Sequence, residues 1–268
     1  MNILEKVSKY NSNLQKAGAA IQDTKILLKN WQISLSTQEN SQIIINENLL
    51  GKKSRKRTYD VLRCTFIPRY INGYPPQHWQ YLKKLVEAQV QDEVFNQILY
   101  FYCALNEPLI TDFINEVVFP KYKRGALEIN SLEVINFINN CISSDKITST
   151  WSEDVIKRVA SGLYAALTEF GIFEGSQKRK IASKIIPPAV FYYISFFLYK
   201  QENLSGKNLL NSQLWNLFLL NSTEIEHLFM EVHALKYLRF EQLGNLIRID
   251  FFENNFEEAV DVVITRSV

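Results

Sequence analysis

The scarcity of glycine constrains this chain more than any other feature of its sequence. Only 9 of the 268 residues are glycine, about half the usual frequency, and most of the 7 prolines lie between segments of helical periodicity. Helices joined by short turns tolerate this composition better than a sheet-rich fold does. With 47% hydrophobic residues, the chain can also bury a sizeable core. We therefore predict a mainly α, multi-helix globular protein.

Breaks in the helical periodicity predict three segments. A turn-rich stretch at residues 71–76 ends the first pattern, and a polar stretch at residues 143–150 ends the second. The predicted segments are an N-terminal helix-turn-helix-like domain at residues 1–73, a central helical block at 74–145, and a C-terminal helical domain with winged-helix-like features and a hairpin at 146–268.

A cluster of positive charge follows the first two predicted helices. Five of the six residues from 52 to 57 are cationic, although the formal net charge of the whole chain is only +2. The sixth residue, Ser54, is a typical N-cap and puts Arg55, Lys56 and Arg57 in the first turn of a helix. Cations are disfavoured there by roughly 0.3–1 kcal/mol each. Phosphate would offset this cost, so nucleic acid is the first candidate ligand, and a solvated basic turn is the alternative.

The N-terminal segment has the pattern of a helix-turn-helix unit. Apolar spacing predicts a helix over residues 13–30, and Ser36 with Glu39 predicts a capping box at the start of a second helix. A third helix is predicted over residues 54–69 with its cationic start exposed, as in a recognition helix that directs its first turn at DNA. Its inward stripe is predicted to consist of Tyr59, Leu62, Phe66 and Tyr70.

Two further groups of cations follow along the chain. Lys121, Lys123 and Arg124 come at the predicted end of a helix over residues 108–120, where cations are electrostatically favoured, so helix capping is an alternative to ligand binding. The third group follows a helix that Ser152 would cap. Its members are Lys178, Arg179, Lys180 and Lys184. A helix, an apolar pair between glycines and then a basic stretch are typical of a winged-helix unit, although an ordinary helix with a basic loop would look the same.

The C-terminal segment combines a buried helix, a capped helix and a hairpin. Residues 187–199 form the longest apolar run, which is too short for a membrane span of about 20 residues. A capping box at Thr223 and Glu226 predicts a further helix, and alternating apolar residues around positions 244–245 predict a β-hairpin. Between residues 224 and 268, nine acidic residues outnumber four basic ones, so we expect this end to repel phosphate.

No constellation of catalytic residues is present in the sequence. His78, His227 and His233 lack metal-ligand spacing, and the three cysteines form no C-x-x-C pair. Residues 51–54 look like the end of a Walker phosphate-binding loop, but the upstream glycine is missing and a helix precedes them. We therefore expect no enzymatic activity, no cofactor and no metal. The unpaired cysteines and an N-terminus without a secretory pattern suit the cytoplasm.

Several short stretches together resemble the BrxA family, whose members are core components of bacteriophage-exclusion (BREX) defence systems. The stretches are residues 17–24 (AGAAIQDT), 48–55 (NLLGKKSR), 119–125 (FPKYKRG), 151–153 (WSE), 159–163 (VASGL) and 217–220 (LFLL). None is a catalytic signature, and the resemblance lies in their order and spacing. It implies a small cytoplasmic, mainly helical protein without enzymatic activity that binds double-stranded DNA and works beside the other proteins of the defence cluster.

The residues and the resemblance together predict a non-enzymatic DNA-binding subunit that contacts mainly the phosphates of double-stranded DNA. The predicted contacts are Lys52, Lys53, Ser54, Arg55, Lys56, Arg57, Lys121, Lys123, Arg124, Lys178, Arg179, Lys180 and Lys184. Because lysine lacks the planar geometry that reads base edges, we expect little sequence preference. Two alternatives are an assembly scaffold whose basic patch binds an acidic partner protein and an RNA-binding protein of the antitermination type. No membrane partner is expected.

Overall fold

Helices make up most of the protein, which confirms the mainly α fold class. The computed structural model describes residues 9–175, 179–183, 185–244 and 246–267. Its helices are α1 (Leu14–Ala17), α2 (Ile21–Asn30), α3 (Thr37–Asn46), α4 (Arg55–Val61), α5 (Trp79–Glu87), α6 (Asp92–Asn106), α7 (Pro108–Phe113), α8 (Phe119–Lys123), α9 (Ser131–Ser143), α10 (Glu153–Glu169), α11 (Pro188–Lys200), α12 (Gly206–Leu210), α13 (Ser222–Ala234) and α14 (Phe256–Ser267).

The N-terminal helices differ from the prediction at two places. The helix predicted over residues 13–30 is interrupted between α1 and α2, where Gly18 and Ala20 have φ values of 54° and 53°. A right-handed helix cannot continue through such backbone, so a tight turn separates two helices. The predicted third helix begins as α4 and continues as a π-helical segment, Leu62–Ile71, that contains Pro68. Because proline cannot donate the backbone hydrogen bond of an α-helix, a departure from α geometry is expected there.

Two helices form the centre of the core. Residues 97–104 of α6 and 189–198 of α11 are all buried. α11 packs against α6, α13 and α14, and aromatic pairs such as Phe101 and Phe197, with ring centroids 4.9 Å apart, join it to α6. The prediction that the longest apolar run is a buried helix is therefore confirmed. Among the helices that the structure describes, none has the length and apolar character needed to cross a membrane.

A small antiparallel sheet lies beside α9 and α10. Its strands are β1 (Glu128–Ile129), β2 (Phe173–Glu174) and β3 (Arg179–Ile181), in the spatial order β1-β3-β2. In the central strand, Lys180 pairs with Glu128 on one side and with Glu174 on the other. The chain therefore passes through one strand, the two helices α9 and α10, and then two more strands of the same sheet.

The C-terminal segment contains the predicted hairpin, but its capped helix begins at a different residue from the one predicted. The hairpin consists of β4 (Leu238–Leu243) and β5 (Leu246–Phe251), which pair antiparallel. Asn245 of the predicted turn lies outside the described residues. The capping box of α13 is formed by Asn221 and Glu224, not by Thr223 and Glu226, because the Asn221 side chain accepts the Glu224 N–H at 3.0 Å. The last helix, α14, was not predicted; it packs against α5 and α11.

One buried ion pair joins the N-terminal helices to the central block. The Nη2 atom of Arg69 lies 3.1 Å from Oε2 of Glu107, and both side chains are almost fully buried. The same guanidinium donates through Nη1 to the backbone carbonyl of Gly18 at 2.6 Å. One continuous cluster of buried apolar residues also runs through all three predicted segments. The domain boundaries remain predictions.

A buried histidine predicts a pH-dependent stability. The Nδ1 atom of His78 forms a hydrogen bond with the Tyr102 hydroxyl, and the rings of Phe197 and Phe256 pack against its imidazole. Burial lowers the pKa of His78 to about 4, whereas histidine in an unfolded chain titrates near 6.5. As the pH falls between these values, the unfolded state binds the proton first. We expect the free energy of unfolding to decrease by about 3 kcal/mol in total across this window.

Urea denaturation at pH 7 and pH 5 measures this effect. The His78→Phe variant is the comparison, because phenylalanine fills a similar volume and cannot titrate. The wild type should lose about 2 kcal/mol more than the variant between the two pH values. Equal losses in the two proteins would show that His78 is not the group responsible.

Candidate nucleic-acid interface

α4 begins as the sequence predicted, with a capped and cationic first turn. Ser54 is the N-cap, and its hydroxyl accepts the backbone N–H of Arg57 at 3.3 Å. Arg55, Lys56 and Arg57 occupy the first turn, which contains no acidic residue. Residues 53–57 are all exposed. The partial positive charge of the backbone N–H groups and three full charges therefore coincide at one exposed helix end.

Two of the five clustered cations have partners within the protein. Lys52 forms an ion pair with Asp23 of α2, in which Nζ lies 2.7 Å from Oδ1. The guanidinium of Arg57 donates to the backbone carbonyl of Lys16 at the end of α1. These two contacts fix the basic turn against the first two helices, so Lys52 and Arg57 have a structural role in addition to any role in binding.

The other three cations have no such contacts. Lys53, Arg55 and Lys56 are exposed, and within the described part of the chain none of them forms an ion pair with a carboxylate. Neighbouring like charges repel, and the first-turn position adds to this cost for Arg55 and Lys56. These three side chains are therefore the part of the cluster that is available to an external anion.

The outer side of α4 carries an aromatic residue that sequence analysis placed wrongly. Tyr59, predicted to face inward, is 47% exposed, because Thr58 and Val61 take the core-facing positions of this helix. Arg63 donates through Nη1 to the Tyr59 hydroxyl at 3.2 Å, and its guanidinium carbon lies 5.8 Å from the ring centroid. Arg55, Tyr59 and Arg63 are spaced four residues apart, and this i, i+4 pattern was the signal that could have revealed the stripe.

α1 connects the start of α4 to α10. It packs along α10 with a close approach at Gly162, where a Cβ atom would lie 2.1 Å from the carbonyl oxygen of Leu14. Lys16, which is exposed on α1, provides the carbonyl that accepts the Arg57 guanidinium. Lys16 is thus another cation that sequence analysis missed. The basic start of α4 lies next to a helix that itself lies on α10.

α10 carries both signs of charge on its exposed side. Ser152 caps the helix, as predicted. Glu153 and Asp154 follow in the first turn, where carboxylates stabilise the helix but would repel phosphate. Lys157 and Arg158 come one turn later and are exposed. Any contact of α10 with a polyanion is therefore expected at its second turn.

The second predicted group of cations lies at the end of α8. The Nζ atom of Lys121 is 2.5 Å from Oε1 of Glu133, and that of Lys123 is 5.6 Å from the ring centroid of Phe119. Arg124 is exposed. Lys121 and Lys123 occupy the last turn of the helix, so the capping interpretation accounts for their position without a ligand.

The third predicted group is described only in part. Arg179 and Lys180 belong to β3, whereas Lys178 and Lys184 lie outside the described residues. The guanidinium carbon of Arg179 lies 4.5 Å from the ring centroid of Tyr164 on α10. Lys180 is exposed. The two described members of the third group therefore lie beside α10, on the small sheet.

Two of the three histidines, His78 and His233, form contacts within the protein. His233 accepts the backbone N–H of Phe240 at 3.1 Å, and His78 is buried among aromatic rings. The cysteines are free thiols, and burial raises the pKa of Cys103 to about 11. In the part of the chain that the structure describes, no group of three or more His, Cys, Asp and Glu residues could hold a metal ion.

The fold and this surface define a mainly α protein that presents unpaired cations at the exposed start of one helix. Comparison with known sequences shows the family to which the chain belongs. The chain belongs to the BrxA family, whose sequence profile, described as BrxA, matches residues 8–196. The resemblance indicated by the short sequence stretches is thereby confirmed. Membership of this family suggests a role in BREX phage defence.

A solved structure has a similar fold. The crystal structure of an uncharacterized protein from Magnetospirillum magneticum matches with a TM-score of 0.59 and 18% sequence identity, and the match covers 73% of this chain and 95% of that chain. At this identity the similarity concerns the fold alone. Comparison with curated proteins gave no match. The family match ends within α11, so α12, α13, the hairpin and α14 lie beyond it.

Proposed function

We propose that this protein is a non-enzymatic, DNA-binding subunit of a BREX defence system and acts in the cytoplasm. The observation that carries the proposal is the exposed start of α4, where Lys53, Arg55 and Lys56 have no carboxylate partner in the described chain. A purely structural role would favour acidic residues in this turn or ion pairs for these cations. Their placement lowers stability unless an anion is bound.

The neighbouring cations enlarge the same surface. Lys16 on α1 and Arg63 in the π-helical segment that continues α4 are both exposed, and Arg57 remains exposed although its guanidinium contacts the backbone. Together with the three unpaired cations, they give about six positive charges on adjoining elements. Because duplex DNA carries one negative charge per roughly 1.7 Å of its axis, a surface of this kind suits its backbone.

The unit of β1, α9, α10, β2 and β3 supports a second contact. Its order of elements and its strand order are those of a winged-helix unit, in which the helix before the last two strands is the recognition helix. α10 holds that position and exposes Lys157 and Arg158, while β3 adds Arg179 and Lys180. We propose helix-turn-helix-like docking in which α10 faces the DNA groove and β3 lies along the phosphate backbone.

We expect contacts mainly with phosphates. Lysine is a point charge without base-reading geometry, and the guanidinium of Arg63 is already engaged with the Tyr59 hydroxyl. Phosphate contacts position a protein on DNA but carry no sequence information directly. The proposed binding is therefore only weakly dependent on sequence.

A scaffold within the defence complex is the second candidate. The observation that favours it is the hairpin end, where Leu243 and Leu246 are 83% and 71% exposed. Apolar side chains at this degree of exposure suit contact with another protein. In that case the basic turn of α4 would bind an acidic surface of a partner rather than DNA. Replacing Lys56 and Arg57 with glutamate would then abolish binding of the partner in a pull-down and leave the affinity for DNA unchanged.

Fluorescence anisotropy with a labelled DNA duplex tests the proposal. The titration is made at low salt, and unlabelled duplex and structured RNA of the same length serve as competitors. We expect the duplex to bind and the RNA to compete more weakly. Stronger competition by RNA would assign the basic surface to RNA, and no binding of either nucleic acid would refute the proposal.

A further inference from the structure

A cleft opens between the small sheet and the two helices beside it. Its volume is about 500 Å³, which is in the range of small-molecule sites. β1 and β3 form one side, and α10 with the N-terminal end of α9 forms the other. Its polar lining consists of Asn130, Ser131, Lys157, Ser161, Tyr164 and Arg179, with Glu128 as a single carboxylate.

Tyr164 is the feature that suggests a ligand. Its side chain is only 6% exposed, and its hydroxyl has no hydrogen-bond partner among the described residues. A buried hydroxyl without a partner costs roughly 1–3 kcal/mol, so native proteins rarely leave one unsatisfied. A tyrosine hydroxyl is protonated at neutral pH and can donate a hydrogen bond, and burial raises the pKa of Tyr164 further, to about 12. The guanidinium of Arg179 packs on its ring, with the guanidinium carbon 4.5 Å from the ring centroid.

The charges around the cleft favour an anion. Lys157 and Arg179 line it, and neither forms an ion pair with a described carboxylate. The neighbouring Glu133 is compensated by Lys121, whose Nζ lies 2.5 Å away. Glu128 is exposed and remains the only uncompensated carboxylate among the described lining residues. The first turn of α9, a helix of 13 residues, adds the partial positive charge of its backbone N–H groups.

We propose that this cleft binds the phosphate group of a nucleotide. Lys157 and Arg179 neutralise the phosphate, and the Tyr164 hydroxyl and the backbone at Ser131 donate hydrogen bonds to it. The phosphate has two possible sources. One is a nucleotide within bound nucleic acid, in which case the inference rests on the proposed function. The other is a free mononucleotide.

Two probes distinguish the sources. Deoxyadenosine monophosphate, titrated by isothermal calorimetry, represents the free nucleotide, and a labelled duplex, followed by anisotropy, represents nucleic acid. Lys157→Gln removes an exposed charge, and Tyr164→Phe removes only the hydroxyl and retains the ring against which Arg179 packs. Lys207→Gln, which removes an exposed cation on α12, is the matched control. Thermal unfolding of each variant shows that it is folded.

For the probe that occupies the cleft, Lys157→Gln and Tyr164→Phe should each lower affinity about tenfold, and Lys207→Gln should leave it unchanged. A decrease for the mononucleotide identifies a free nucleotide as the ligand. Because Lys157 is already a proposed DNA contact on α10, a decrease for the duplex in Tyr164→Phe, without mononucleotide binding, identifies nucleic acid as the ligand of the cleft. Wild-type affinity of Tyr164→Phe for both probes, or binding of neither probe by the wild type, would overturn the inference.

Charge reversal on α4 separates this inference from the proposed function. If Lys53→Glu with Lys56→Glu leaves duplex binding intact, the proposed function fails. The cleft inference is then decided by mononucleotide binding alone. If the α4 substitutions abolish duplex binding, and Tyr164→Phe in the otherwise unchanged protein binds both the mononucleotide and the duplex like the wild type, only the cleft inference fails.

Discussion

Replacing Lys53, Arg55 and Lys56 together with glutamate should lower the affinity for duplex DNA by about 100- to 1,000-fold at about 0.1 M salt. Each cation that neutralises a phosphate releases a condensed counterion, and losing three such contacts removes several kcal/mol of binding free energy at this salt concentration. The reversed charges also repel the backbone. Because the three side chains are exposed and unpaired in the described chain, the fold should not be affected. Fluorescence anisotropy measures the affinity, and urea denaturation checks the stability.

A triple variant with the same change in net charge is the control. Lys29, Lys200 and Lys207 are exposed and lie on other helices, so their replacement by glutamate changes the overall charge but not the α4 surface. We expect this control to lose less than about tenfold in affinity, through long-range electrostatics alone. Equal losses in the two triple variants would mean that net charge, and not the start of α4, determines binding.

Replacing Arg69 with methionine should lower the free energy of unfolding by about 3–5 kcal/mol. The substitution leaves the carboxylate of Glu107 buried without its ionic partner and removes a donor from the Gly18 carbonyl. Burial already raises the pKa of Glu107, and Arg69 opposes this effect. Without the guanidinium, the carboxylate must either remain charged in an apolar environment or take up a proton. Urea denaturation at neutral pH measures the loss.

The double variant Arg69→Met, Glu107→Leu tests the physical reason. Buried ion pairs can often be replaced by apolar residues of similar volume at little cost, because both desolvation penalties disappear. We expect the double variant to recover most of the stability that the single variant loses. A single variant that loses less than about 1 kcal/mol, or a double variant as unstable as the single one, would show that the pair does not hold the N-terminal helices to the central block.

Local signals were sufficient to predict much of the helical architecture. The capping residues Ser36, Ser54 and Ser152 lie where the sequence placed them, because a cap depends on residues within one helical turn. The hairpin and the buried helix α11 follow from alternation and from apolar run length in the same way. Even locally, neighbouring candidates can compete, as at α13, where Asn221 forms the cap instead of Thr223.

Long-range contacts account for what the sequence could not predict. β1 has only two residues and becomes a strand because β3, some fifty positions later, supplies its hydrogen-bond partner. Within the basic cluster, the ion pair of Lys52 with Asp23 and the contact of Arg57 with the Lys16 carbonyl depend on how α1, α2 and α4 pack. No residue spacing near position 52 distinguishes these two cations from the three that remain unpaired.

The salt dependence of duplex binding tests the central claim most directly. With about six phosphate contacts at the α4 surface, and more where α10 and β3 also bind, the logarithm of the association constant should fall against the logarithm of salt concentration with a slope of about −5 or steeper. Affinity should then decrease on the order of 10³-fold between 50 and 200 mM salt, and the slope of the α4 triple variant should be smaller in magnitude by about 3. A slope near zero for the wild type, or the same slope for wild type and variant, would contradict the claim that the start of α4 binds DNA phosphates.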